Sequence, residues 1–129
     1  SSLLSAENAH IPGDQLAKSV VLEDKHGYLM AVVPATRYVE FSRLRHQLHR
    51  SLDLAREDDI ICLFSDCVVG AVPPVGEAYG LCVVVDDSLR GLNDIFFEAG
   101  DHKELVHMSG HDFQVLMTNS VHGQFSRHM

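Results

Sequence analysis

Two apolar runs flank a four-residue polar break near the start of the chain. Leu16 to Glu23 and Tyr28 to Val33 are rich in valine and leucine, and Asp24-Lys25-His26-Gly27 joins them. The break ends in a glycine suited to a positive-φ turn position, so the pattern predicts a β-hairpin. Pro34 closes its second strand. Val39, Leu44 and Leu48 then recur near helical spacing and predict an amphipathic helix over residues 38–49. Glu57, Asp58 and Asp59 precede Ile60, Ile61, Leu63 and Phe64, as in the acidic first turn of a short helix that exits near Asp66. Leu81-Cys82-Val83-Val84-Val85 has no polar alternation and reads as a central strand buried on both faces. Residues 95–98 and 105–108 predict a second hairpin, and Ser109 or Asp112 caps a final helix carrying Phe113, Leu116 and Met117. Residues 1–14 and 119–129 read as a loosely held lead-in and a polar tail. Strands outnumber helices and the two interleave irregularly. The expected class is therefore α/β or α+β, with a mixed sheet and flanking helices.

One residue breaks the first apolar run. Strand parity places Lys18 on the face of Leu16, Val20 and Leu22, and Ala17, Ser19 and Val21 on the other. Partial burial would lower its pKa, while a carboxylate or carbonyl cluster would hold its charge. The residues alone leave two readings open, a lysine that snorkels its head to water and a lysine held for chemistry.

Composition narrows the setting. The 129 residues, 46 % of them hydrophobic, suit one domain spanning 1–129. Cys62, Cys67 and Cys82 are odd in number and lack metal-type spacing, and no secretory leader is evident, which suggests reduced thiols in the cytoplasm. No apolar stretch approaches the roughly 20 residues a membrane span needs, so no membrane partner is expected. A net charge of −8 argues against a general nucleic-acid grip. The predicted first helix and its flanks nevertheless concentrate Arg37, Arg43, Arg45, His46, His49 and Arg50, as a solvated face or a phosphate-contacting patch.

Gly70-Ala71-Val72-Pro73-Pro74-Val75-Gly76 combines fixed φ at the prolines with freedom at the glycines. Such a stiff loop either makes a structural turn or lets a ligand approach backbone groups closely. His46 and His49 have no carboxylate or cysteine at ligand spacing, so neither a metal nor any other cofactor is expected. Ser109-Gly110-His111-Asp112 contains hydrolase residue types without a nucleophile elbow and reads better as a capped helix start. No Walker-type loop or dinucleotide fingerprint occurs.

Taken in order, Gln15 to Leu22 with Lys18, Phe64 to Gly76 with Gly70 and Pro74, and Phe97 to His102 resemble the YbaK/prolyl-tRNA synthetase-associated domain family. The resemblance covers nearly the whole chain. It implies a single YbaK-like domain, its mixed sheet partly closed into a barrel, that hydrolyses the ester of mischarged tRNA, with alanine or cysteine on proline tRNA as the expected substrate. It also implies catalytic roles for Lys18 and Gly70, and a substrate pocket formed by Ser19, Ala71, Val72, Pro74, Gly76, Gly100 and His102. His107 is the less favoured alternative for the pocket histidine. Arg37, Arg43, Arg45 and Arg50 would meet the tRNA acceptor stem, and an aminoacyl-tRNA synthetase or a fused domain would be a further partner. On this reading Lys18 supplies charge to a terminal phosphate, the ribose region or a developing oxyanion, and does not act as a general base. The rival is a non-catalytic module that retains the pocket and senses aminoacyl-tRNA or a small amino acid for a partner domain.

Overall fold

The computed structural model describes residues 10–63, 74, 80–100 and 104–129. The predicted first hairpin forms between β1 (Ala17–Asp24) and β2 (Gly27–Pro34), antiparallel in a register that sets Lys18 opposite Val33 and Asp24 opposite Gly27. Gly27 has φ 131°, a value that β-carbon-bearing residues rarely adopt, and the Asp24 carboxylate accepts from the His26 N–H at 2.8 Å. β5 (Cys82–Asp86) lies parallel to β2, as its unbroken valine run suggests, although Cys82 at its entrance is exposed.

The main sheet has the order β4-β1-β2-β5-β8, with β4 at Asp53–Leu54 and β8 at Val121–Gly123. It is mixed, because β1 pairs antiparallel with both neighbours while β2, β5 and β8 run parallel. Two-stranded ribbons complete the β structure. One joins β3 (Arg37–Val39) to β9 (Ser126–His128), and the other joins β6 (Asp94–Glu98) to β7 (Leu105–Ser109). The described strands form no closed barrel.

Both faces of the sheet are covered, which is why β1 and β2 show so little polar alternation. One face buries Val21, Met30, Val32, Val83 and Val85 beneath Ile95, Phe97, Phe113 and Met117. The other buries Leu22, Leu29, Ala31, Val33 and Val84 beneath Leu44, Leu52 and Phe125. Leu44 comes from α1 (Phe41–Leu48), and Phe113 comes from α3 (Gly110–Leu116). Between them, α2 (Glu57–Leu63) contributes Ile60 and Leu63 to the first face. None of these helices is long and apolar enough to cross a membrane.

Three expectations need correction. The segment predicted as one helix over 38–49 divides, because Arg37–Val39 finds a strand partner in β9 and only Phe41–Leu48 is helical. Residues 119–129, expected as a loose tail, supply β8 and β9 and bury Phe125 between them. Their polarity is that of edge strands, whose outer faces meet water. Among the described strands the expected partial barrel does not close, and they form a five-stranded mixed sheet with two ribbons. Of the two candidate caps, Ser109 serves, accepting from the Asp112 N–H at 3.0 Å. The following Gly110 is required, since a β-carbon there would lie 1.7 Å from the Leu92 carbonyl oxygen.

Candidate functional site

Lys18 sits on the half of β1 that β4 does not reach. Along that half the outer edge of β1 meets β6 through a parallel bridge between Leu16 and Phe96. A parallel bridge carries both chains the same way, so the exit of β6, from Glu98 to Gly100, runs alongside the Lys18 stretch. Gly100 is buried with φ 107°, a left-handed conformation that explains a glycine at this corner. Glu98 is buried beside it.

Lys18 itself is half-buried, and it forms no ion pair with any described residue. Burial lowers its pKa from the ordinary 10.5, because partial loss of water disfavours the ammonium. Parity and register place it on the face of Val20, Leu22 and Val33. Ser19, paired with Val32, points to the opposite face. The fold therefore separates two residues that the resemblance grouped in one pocket.

Of the remaining expected pocket residues, Pro74 is buried. Gly70, Ala71, Val72, Gly76 and His102 lie outside the described residues, as does Asp66 at the expected exit of α2. The described alternative to His102 has a defined setting. The His107 ring is stacked on Phe96 at 4.4 Å and 10°, and its Nε2 lies 2.8 Å from the Asp94 carboxylate. Both His107 and Asp94 are about half exposed.

The four arginines divide into two pairs. Arg45 donates to the Leu52 carbonyl and to Asp53, each at 2.7 Å, and lies over the Phe41 ring. Arg50 grips Asp24 with two 2.7 Å hydrogen bonds. The Arg50 hydrogen bond is the leading reason that the Asp24 carboxyl is held far below the usual carboxylate range. These two guanidinium groups tie loops to β1 and β4. Arg37 and Arg43 instead line a polar cavity of about 280 Å³ with Asp86, Asp87 and Ser88, beyond the carboxyl end of β5. Arg37 is fixed by Ser126, through Oγ at 2.7 Å and the carbonyl oxygen at 3.1 Å. Arg43 is exposed and has no ion pair among the described residues.

Asp86, the last residue of β5, was missed by the sequence reading. It is buried and accepts from the Phe125 N–H at 2.9 Å, the Ser88 N–H at 3.1 Å and the Ser88 hydroxyl. Burial pushes its pKa up, yet these hydrogen bonds, with one from Ser126, outweigh burial and leave it below the ordinary value. The Phe96–His107–Asp94 group was also missed, because its members meet only when β6 pairs with β7. Alternation of side chains in the two strands was the available signal. Among the described residues no group of three histidine, cysteine or acidic side chains is arranged to hold a metal ion.

Residues 4–116 match the family model of the aminoacyl-tRNA editing domain. The chain is 30 % identical over 95 residues to a proline–tRNA ligase of Fervidobacterium nodosum, covering 73 % of this chain and 16 % of that protein. It is 29 % identical over 114 residues to the proline–tRNA ligase of Thermosipho africanus, covering 85 % of this chain and 20 % of the relative. The chain thus spans a fifth or less of these curated relatives. A crystal structure described as a candidate trans-editing enzyme for prolyl-tRNA synthetase superposes with a TM-score of 0.86 at 19 % identity, covering 98 % of this chain and 80 % of that one.

Proposed function

Because this chain belongs to the aminoacyl-tRNA editing domain family, we propose that it is an aminoacyl-tRNA deacylase that removes a small amino acid, alanine or cysteine, from mischarged proline tRNA. The observation that carries the reading is Lys18. Its half-buried ammonium has lost part of its water and forms no ion pair among the described residues, so its charge is placed to meet the negative charge of a bound substrate.

In the reaction a water oxygen attacks the carbonyl carbon of the aminoacyl ester. The carbonyl oxygen takes up negative charge in the tetrahedral intermediate, and then the bond from carbon to the ribose oxygen breaks. The ribose oxygen receives the proton that the attacking water gives up, and the amino acid leaves with the new hydroxyl. Lys18 stabilises the oxyanion or the adjacent terminal phosphate as a fixed cation. Backbone groups of the Gly70 loop and of Gly100 hold the aminoacyl group, with Ala71, Val72, Pro74, Gly76 and His102 as its surround. A small pocket selects by exclusion, since one methylene contributes only about 1–3 kcal/mol to discrimination. Arg37 and Arg43 approach the acceptor stem. Arg45 and Arg50, already matched by Asp53 and Asp24, hold loops in place beside that surface.

The test is single-turnover deacylation of alanyl- and cysteinyl-tRNA for proline within a wider mischarged panel, with enzyme-free controls and Lys18→Ala beside the wild type. Hydrolysis of one substrate class, reduced about 10²–10³-fold in the variant, is expected from loss of one oxyanion-stabilising group. A folded wild type that hydrolyses none of the panel would overturn the enzymatic reading in favour of a binding module.

A further inference from the structure

We propose that the stacked Phe96–His107 pair is a platform for the terminal adenine of the bound tRNA; this deepens the deacylase reading and rests on it. Strand parity carries the argument. Phe96 is bridged to Leu16, and His107 is paired directly with Phe96 in the β6–β7 ribbon. Leu16 and Lys18 share one face of β1, so Lys18, Phe96 and His107 stand on one continuous face across β1, β6 and β7. The packing agrees, because Leu16, Phe96 and Leu105 cluster together while Ile95, Phe97, Val106 and Met108 pack into the opposite core.

On this face, His107 lies two strand spacings across and two residues along from Lys18, a Cα separation of roughly 12 Å for regular strands. That distance suits a nucleoside bound at its base on one side and at its ester-bearing sugar on the other. One face of the His107 ring is covered by Phe96, and the side chain is 54 % exposed. A base can therefore extend the stack from the open side. The Asp94 carboxylate, 2.8 Å from Nε2, fixes the ring plane in advance, so little side-chain freedom is lost on binding. Stacking needs a flat ring and no proton transfer, which separates this role from general-base chemistry by the same dyad.

The test uses an uncharged RNA acceptor hairpin ending in CCA, with 2-aminopurine replacing the terminal adenine. Fluorescence quenching on binding is compared for wild type, His107→Phe and His107→Ala, and single-turnover deacylation is measured in parallel. Quenching and deacylation retained in His107→Phe, with quenching lost and affinity reduced roughly tenfold in His107→Ala, is the expected result. Equal loss in both variants, with unchanged melting temperatures, would overturn the platform and assign the ring's nitrogens the essential role. Wild-type binding without quenching would overturn it as well. Because quenching is read without hydrolysis, a platform that fails in an active deacylase is distinguishable from failure of the deacylase reading itself.

Discussion

Lys18 and Arg50 are both cations on or beside the same hairpin, yet the fold uses them in opposite ways. Arg50 meets Asp24 through two hydrogen bonds at a site where the carboxylate is almost wholly covered, and so joins the exit of α1 to the end of β1. Lys18, at the other end of β1, is half out of water and has no ion pair among the described residues. A paired charge stabilises a structure through its partner. A partly desolvated charge costs stability unless another charge or a ligand offsets the loss of water.

Lys18→Met keeps the apolar stem and removes the charge, so deacylation should fall about 10²–10³-fold while the melting temperature stays level or rises. A variant that loses both activity and stability would show that Lys18 serves the fold. Arg50→Ala should do the reverse. It leaves Asp24 covered and unpaired, and thermal denaturation should show a large drop in melting temperature, with deacylation per folded molecule preserved.

Titration sharpens the same contrast. Lys18 has a folded pKa below its unfolded value, so the unfolded chain binds the extra proton between the two, and its contribution to stability improves as pH rises through that window. Activity that needs the cation should decline over the same window. An alkaline limb starting below pH 10.5, corrected for spontaneous ester hydrolysis and absent in Lys18→Met, is the expected profile. Asp24 is depressed, so its contribution is present above the ordinary carboxylate pKa and is lost on acidification toward its folded value. The stability gap between wild type and Asp24→Asn should therefore narrow as pH falls below about 4.

The smallest effect concerns Arg43, which is exposed and without an ion pair among the described residues. Arg43→Gln should raise KM severalfold and lower the slope of log affinity against log salt by about one, with kcat unchanged. Arg45→Gln should leave that slope nearly unaltered, because its charge is already matched by Asp53. Equal slopes for the two variants would erase the distinction between arginines that face a ligand and arginines that hold loops.

Much of this organisation was legible in one dimension. The apolar runs at 16–23, 28–33 and 81–85, the glycine that turns the first hairpin and the serine that caps α3 are local signals, because pleat, turn and cap each involve neighbours a few residues apart. The cation in the first run was likewise visible as an anomaly before any fold was known. Tertiary structure decided what could not be read from neighbours. Residues 121–128 gain their strands only by meeting β5 and β3, far back in the chain. Arg50 and Arg43 have the same side chain in the same basic segment, and only the positions of Asp24 and the β5 end tell them apart. The Phe96–His107 stack depends on register, and the place of that stack beside Lys18 depends on one bridge between β1 and β6. Sequence determined which groups were out of place for a simple core, since hydrophobic burial is a local demand on each strand. Which partners those groups received, or went without, was set by long-range pairing, whose energy is shared across the sheet and written in no single segment.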